Sequence, residues 1–398
     1  MRAAALALWL AACGGGAATM APSRGTAVGT STPAPAAAPS SAPAPISAPV
    51  AASIPVPIST PTAAPVSAAP SRPPPLPATI PLSSGNREPG DADLAAGDDA
   101  FAQGDLTAAR KHYEAARAAA PRSVAPAVGL ARVRVALVGV PLDYAAGKGN
   151  PEITAAAKAL AGVTRTAPSF GPGFVELGRA LLLLGDATAA VGALRKGTQL
   201  LPGEAEAHSQ LGIALLATGH AGEAVSELAR AAELDPGSAA RHGNLGTALM
   251  MAGRTKEAIV EYETRVGIDD DDARAHSDLG TALLGTQDLA RALSELERAV
   301  RADPRRASLH SNLGYALQQA GRTDQAIAEY GEALRLDPQL VSAWINLATA
   351  LAMDPKKRTD ARAALEKARA LSPDDPRVKA NLEELDALAP GARTRLKP

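Results

Sequence analysis

The chain has a single cysteine, Cys13, in 398 residues. No intramolecular disulfide can form, and no cysteine-based zinc cluster can be assembled. Aromatic residues make up only 3% of the chain. Strands favour β-branched and aromatic side chains, so scarce aromatics with abundant alanine and leucine point to closely packed helices. Forty basic and 41 acidic residues leave a formal charge of −1. That balance gives no electrostatic footprint for nucleic acid or an anionic membrane surface. No apolar run reaches the roughly 18 residues that a membrane-spanning helix needs. Catalytic fingerprints are also missing. No Gly-rich dinucleotide motif follows a strand pattern, and no Ser-His-Asp or Cys-His set has supporting context. The stretch Tyr144 to Gly149 faintly suggests a phosphate loop but lacks the full form, and it reads as a flexible loop.

What the chain does have is a phrase that returns every 34 residues. It reads His208-Ser209-Gln210-Leu211-Gly212, His242-Gly243-Asn244-Leu245-Gly246, His276-Ser277-Asp278-Leu279-Gly280 and His310-Ser311-Asn312-Leu313-Gly314. Leu234-Asp235-Pro236, Ala302-Asp303-Pro304 and Leu336-Asp337-Pro338 keep related spacing. A fixed period of this size marks a repeat architecture. Within one copy, His208, Leu211 and Leu215 share a helix face. Gly219 can take the left-handed conformation that ends that helix. Ala224, Leu228 and Ala231 form the face of a second helix, which Pro236 stops. Neither helix covers itself, so each pair must stack on its neighbours.

Read this way, residues 90–388 form about eight helix-turn-helix units and a cap. The units lie near 90–123, 124–170, 171–204, 205–238, 239–272, 273–306, 307–340 and 341–375, with the cap at 376–388. The second unit carries an insertion, 139–150, and the eighth gains one residue near Asp354 to Arg358. A polar tail, 389–398, follows. The acidic run Asp269 to Asp272 reads as a solvated turn that caps the next helix N-terminus. It lacks the glycine and final glutamate of a calcium loop.

These slots resemble the tetratricopeptide repeat (TPR) family: a large residue, Leu-Gly, a large residue, then Ala, an aromatic or Leu, Ala and Pro. Here they hold the four histidines or Trp344, the Leu-Gly pairs, Leu215 and Leu317, Ala258 and Ala326, Tyr262 and Tyr330, Ala333, and the prolines. The resemblance covers about three quarters of the chain. Departures are Arg265 in an alanine slot, Asp270 in the proline slot and the insertion. The resemblance implies an all-α, right-handed superhelical solenoid with a concave groove. It also implies a non-enzymatic scaffold that binds proteins or peptides, without cofactor, metal or small-molecule substrate.

A polar ladder then becomes the candidate site. Glu176, Gln210, Asn244, Asp278, Asn312, Asn346 and Asn381 recur two residues after the large slot. Thr247, Thr281, Tyr315 and Thr349 share their stripe, which in the family faces the groove. Asparagine is a mediocre helix former, so its return in mid-helix suggests a hydrogen-bonding task. An amide can both donate to and accept from an extended backbone. The ladder is similar to that of O-linked N-acetylglucosamine transferase superhelices, where it holds peptide. The other reading is that the amides bond only the next repeat or water. The chaperone-binding carboxylate clamp is not matched, because its slots hold Ser209, Gly243, Ser277, Ser311, Thr247 and Thr281. The histidines read as packing residues, since neighbours about 10 Å apart cannot share one zinc ion.

The N-terminus has Met1-Arg2, a short apolar run and Leu10-Ala11-Ala12-Cys13. This reads as a signal over 1–12. It also resembles a bacterial lipobox, which implies diacylation at Cys13 and a lipid-anchored protein in a bacterial envelope, facing the periplasm or the cell surface. Residues 13–89 form an Ala/Pro/Ser-rich stretch, and from about Pro22 to Pro89 most residues are Ala, Pro, Ser or Thr. Proline removes donors and fixes φ, so this stretch reads as a disordered tether reaching up to roughly 200 Å. Two further roles fit the resemblance: a pilotin-like assembly factor for an envelope complex, and a substrate-recruiting arm for a separately encoded glycosyltransferase.

Overall fold

The structure, a computed structural model, describes residues 79–85, 88–141 and 143–388. The signal, Cys13, the tether as far as residue 78 and the tail 389–398 lie outside the described residues. Among the described residues there are 17 α-helices and no strand.

The helices pair in chain order. The first two pairs are α1 (Asp91–Ala102) with α2 (Leu106–Ala119), and α3 (Ala125–Leu137) with α4 (Pro151–Thr166). Next come α5 (Gly171–Leu184) with α6 (Ala187–Leu200), and α7 (Ala205–Ala217) with α8 (Ala221–Leu234). The fifth and sixth pairs are α9 (Ala239–Met251) with α10 (Thr255–Ile268), and α11 (Ala273–Gly285) with α12 (Leu289–Ala302). Then follow α13 (Ala307–Gln319) with α14 (Thr323–Leu336), and α15 (Val341–Ala352) with α16 (Arg358–Leu371). The cap is α17 (Pro376–Ala387). The extra residue of the eighth unit is absorbed in a single 3-10 turn, Pro355–Lys357.

Local chemistry sets the boundaries. Gly185, Gly219, Gly253 and Gly321 end first helices with φ between 75° and 83°, a region that costs other residues a Cβ clash. Asp105, Asp186 and Asp288 start second helices by accepting from the backbone amides of Ala108, Ala189 and Arg291. Asp272 does the same for α11, accepting from the amide of Arg274, so the acidic run ends in a helix cap.

The Leu-Gly glycines are seats for a large side chain of the second helix. A Cβ on Gly212 would lie 2.4 Å from Leu228 Cγ, and one on Gly246 would lie 2.6 Å from the Tyr262 ring. Leu228 is fully buried, as are its counterparts Leu194, Leu296, Tyr113 and Tyr330. Each such side chain contributes about 1.5–3 kcal/mol by leaving water. Every helix packs on its predecessor and successor, and first helices also touch along one side, as α5 does α7 and α11 does α13. Second helices make no comparable contacts with one another. The first helices therefore line the inner, concave side.

Two expectations are corrected. The tether does not run to residue 89. Ile80 and Leu82 are each only 4% exposed, with Thr79 half-buried and Pro81 outside. This period-two pattern buries two apolar side chains that a polar tether would not supply. Nor is the inserted loop free. The amides of Ala145 and Gly147 donate to the carbonyls of Leu182 and Leu183, and Tyr144 Oη donates to the Gly185 carbonyl at 2.6 Å. Those carbonyls lie at the C-terminal end of α5, where that of Leu182 also accepts from the Gly185 amide. Asn150 closes the loop by capping α4.

Gln287 stands where the other repeats have Gly219, Gly253 and Gly321, and it holds φ at 64°. Gln287→Gly is expected to stabilise the fold by about 1 kcal/mol, read as a rise in urea midpoint with an unchanged slope.

Candidate functional site

The inner stripe begins with a seated segment of backbone. Ser84 N donates to Asp91 Oδ1 at 2.6 Å, and Leu82 N donates to Asp98 Oδ2 at 2.6 Å. The Ile80 carbonyl accepts from Arg132 Nη2 at 2.8 Å. Asp91 and Asp98 belong to α1 and Arg132 to α3, so the strand-like strap 79–85 crosses first helices. Leu82 joins the apolar cluster that runs from α1 to α5, whereas Ile80 joins the one that runs from α5 to α15. Read backwards along the chain, the strap steps from the first repeat toward the third.

Below it runs a chain of buried charges. Arg132 binds Asp98 and Glu176, and Glu176 binds Arg179. Arg179 reaches Glu206 at 2.6 Å, Glu206 meets Arg241, and Arg241 ends on Asp235 at 2.9 Å. Arg132 is 3% exposed and Glu176 5%. Burial opposes ionisation of Glu176, but Arg179 and Arg132 outweigh it and hold the carboxyl below its usual range. Removing one member strands a buried charge, at a cost of about 3–5 kcal/mol. The sequence reading picked out Glu176 alone. The available signal was Arg132, a charge one 34-residue step after Asp98.

Where the charge chain passes α5, α7 and α9 there is a cavity of about 300 Å³. Leu182, Leu183 and Ile213 supply its apolar wall, Gln210 and Asn244 its amides, and Tyr144 of the pinned loop one edge. A larger, open recess of about 690 Å³ lies between α2, α3 and the start of α4, away from the stripe. It is left where the insertion separates α3 from α4.

The predicted ladder is mostly engaged within the protein. Gln210 donates to Glu206 at 2.8 Å. Asn244 lines the cavity. Thr247 meets the Tyr262 hydroxyl at 3.3 Å. Asp278 is held by Arg265 at 2.7 Å. Thr281 is half-buried. Asn312 donates to Ser277 Oγ of the previous repeat at 3.0 Å. Tyr315 is half-buried, and burial raises its pKa. Asn346 is 8% exposed, and its Nδ2 has no hydrogen-bond partner, nor has the equivalent hydroxyl, Ser311 Oγ. Thr349 reaches Asn381 at 3.4 Å, while Asn381 donates to the Arg377 carbonyl. The reading in which the amides bond the next repeat describes Asn312 and the pair Thr349 and Asn381. The cavity residues Gln210 and Asn244 are the ladder members that face an opening.

Arg265 and Gly243 explain each other. Arg265 binds Asp272 at 2.6 Å as well as Asp278. A Cβ on Gly243 would lie 2.9 Å from Arg265 Nη1. The serine found in this slot in neighbouring repeats would require the Arg265 side chain to shift. Burial opposes the charge of Asp272, but Arg265 outweighs it and keeps its pKa low, whereas burial of Asp278 dominates and raises its pKa.

The histidines do more than fill space. Nδ1 of His208, His242, His276 and His310 lies 2.6–2.7 Å from Glu227, Glu261, Glu295 and Glu329. Nε2 faces a backbone carbonyl six residues back, at 2.8–3.2 Å. Each imidazole thus ties both helices of its repeat to the preceding turn. Trp344 makes the same carbonyl contact through Nε1. The signal was legible, since a glutamate follows each histidine by 19 residues.

Two family profiles described as tetratricopeptide repeat match the chain, one over residues 94–137 and 277–340, the other over 215–281 and 317–385. With the stacked helix pairs, these matches place the chain in the tetratricopeptide-repeat family. No curated protein sequence matches it. A chain of the anaphase-promoting-complex assembly Cut9–Hcn1 superposes with a TM-score of 0.54 at 16% identity, over 76% of this chain. This chain spans 57% of that chain's length. MamA of Desulfovibrio magneticus RS-1 is 23% identical over 42% of this chain and 95% of its own, with a TM-score of 0.40. PilF of Pseudomonas aeruginosa is 19% identical over 54% of this chain and 97% of its own, with a TM-score of 0.46.

The Glu329 hydrogen bond raises the pKa of His310 above its usual value, against the opposing effect of burial. A raised folded-state pKa stabilises below about pH 6.5, and that contribution disappears as pH rises through the shifted value. Glu329 keeps 29% of its side chain exposed, so the contribution is on the order of 1 kcal/mol after solvent screening. Glu329→Gln is expected to lose this at pH 5.5 and to match the wild type at pH 9, as measured by urea unfolding.

Proposed function

We propose that the protein is a non-enzymatic scaffold whose concave stripe holds an extended segment of a partner protein. One observation carries the reading: the strap 79–85 lies on this stripe with its backbone bonded by Asp91, Asp98 and Arg132. A surface that binds peptide N–H and C=O groups through side chains suits an extended ligand of variable sequence. Beyond the strap the stripe continues from Gln210 and Asn244 through Thr281 and Tyr315 to Met353, which is 65% exposed. Several modest contacts along such a stripe sum to useful affinity once part of the ligand is held. The partner on this reading is a protein or peptide rather than a nucleic acid or a small molecule.

The same proposal places the scaffold on a bacterial membrane through a lipid on Cys13, facing the periplasm or the cell surface. Its support is the group Leu10-Ala11-Ala12-Cys13. Two acyl chains give stable anchoring where one is marginal.

Partner recovery after crosslinking in the host, read by mass spectrometry, tests the groove. The variant Asn244→Ala, Thr281→Arg should lower that recovery by about tenfold or more with an unchanged thermal midpoint; undiminished recovery overturns the reading. For the anchor, palmitate labelling and membrane association should both vanish in Cys13→Ala, and persistent association of that variant overturns it.

A further inference from the structure

The formal charge of −1 hides a separation of charge along the array. Between residues 106 and 138 there are six basic side chains and one acidic, Glu114. Between residues 256 and 272 there are seven acidic side chains and two basic. The first stretch belongs to repeats one and two, the second to repeat five. Each also carries a large apolar side chain that the fold leaves outside: Leu137 is 58% exposed and Ile268 41%.

The basic stretch forms a recess. The opening of about 690 Å³ between α2, α3 and the start of α4 has Leu130, Val133 and Leu137 as its floor, with Arg110, Glu114 and Arg117 of α2 along one side. Arg110 and Arg117 are seven residues apart, about 10 Å along the helix. Arg134 and Glu152 close the far side and pair with each other at 3.5 Å. Among the described residues, Arg110, Glu114 and Arg117 make no ion pair or side-chain hydrogen bond. Spacing does not explain this, because Glu332 and Arg335, with the same separation as Glu114 and Arg117, pair at 2.6 Å.

The acidic stretch forms a projection. Ile268 closes α10, and residues 269–271 follow in an exposed turn. Asp272 is committed to the cap of α11 and to Arg265. Asp269 accepts from the Asp271 amide at 3.3 Å. The carboxylates of Asp270 and Asp271 bond nothing among the described residues. The turn thus presents an aliphatic side chain beside two free carboxylates. The recess presents an aliphatic floor beside two free guanidinium groups.

The two surfaces cannot meet within one molecule. Repeats two and five are three steps apart in the stack, at roughly 10 Å a step. They also lie at opposite edges. The recess is walled by the end of α3 and the start of α4, where a first helix gives way to a second. The turn sits where a second helix gives way to the next first helix.

We propose that the turn 268–271 of one copy inserts into the recess between α2, α3 and α4 of another. Ile268 then covers Leu130 and Leu137, and Asp270 and Asp271 face Arg110 and Arg117. Carboxylate and guanidinium groups form charge-assisted hydrogen bonds that fix the register of such a contact. Two exposed aliphatic side chains leave water at the same time. A contact between two different surfaces is heterologous, so every copy offers one turn and one recess, and copies join head to tail. The proposal does not depend on what the inner groove holds, since both surfaces lie away from it.

Sedimentation velocity of the purified full chain, up to about 0.5 mM, is the test, since contacts of this size have dissociation constants of roughly micromolar to millimolar. The average mass should rise with concentration and fall again as salt is added. Two variants, Arg110→Ala with Arg117→Ala and Asp270→Asn with Asp271→Asn, should each lose about tenfold or more in association. These side chains are exposed and unbonded, so the circular dichroism of both variants should match the wild type. Mixed in equal amounts, the variants should form a one-to-one dimer and nothing larger. Only the intact turn of the first can enter the intact recess of the second. A wild type that stays monomeric throughout overturns the proposal, and so does a mixture that stays monomeric. Association that either variant retains in full belongs to another surface and overturns it too. Crosslinking of a different host protein to position 137, by a chain that does not self-associate, assigns the recess to that protein instead.

Discussion

The solenoid depends on one contact, repeated: a large side chain of each second helix pressed onto a glycine of the first. Six glycines receive it, Gly97, Gly178, Gly212, Gly246, Gly280 and Gly314, from Tyr113, Leu194, Leu228, Tyr262, Leu296 and Tyr330. At each, an added Cβ would fall within 2.3–2.8 Å of the ring or branch carbon. The glycine sets how closely the two helices of a pair approach. That distance in turn sets the wedge that each pair presents to the next and so the curvature of the inner face. In the eighth unit Ala348 stands in the glycine's place, and a 3-10 turn, Pro355–Lys357, precedes α16.

On this scaffold the inner face carries two kinds of polar group. In repeats one to five the charges are mutually paired from Asp98 to Asp235, and those from Arg132 to Arg241 are buried. Past Asp278, which Arg265 holds, the ladder is neutral, with Thr281, Asn312, Tyr315 and Asn346. The first half thus has a fixed electrostatic pattern that orients a backbone, as it does with the strap. The second half offers amides, hydroxyls and one exposed methionine, a surface of low specificity. The pinned loop contributes Tyr144 to the edge of the cavity in the first half.

Much of the fold was legible because the features that build it are local. A 34-residue step, glycines at the first-helix ends and prolines after the second fix the helices within a residue or two. The site was less legible because its chemistry is between repeats. Asp278 looked like a groove ligand, yet it answers Arg265, 13 residues away and in another repeat. Asn312 looked free to bind a peptide, yet Ser277 satisfies it across the junction. The strap was hidden for a different reason. Ile80 and Leu82 sit in a proline-rich context that forbids helix and sheet, and nothing in composition says that an irregular segment is bound by its backbone. The histidines and glutamates were visible as a pair of 34-residue series, but only packing brings 19 residues of separation to 2.7 Å.

The Arg265 wedge has a consequence for how the molecule comes apart. First helices touch at every other junction, but between α9 and α11 that contact is the weakest of the series. A linear array unfolds at its poorest interface, since its stability is the sum of repeat and nearest-neighbour contributions. Here that interface divides the array into five repeats ahead and three behind. There Arg265, paired with Asp272 and Asp278 of the next repeat, supplies a bridge that the first helices do not.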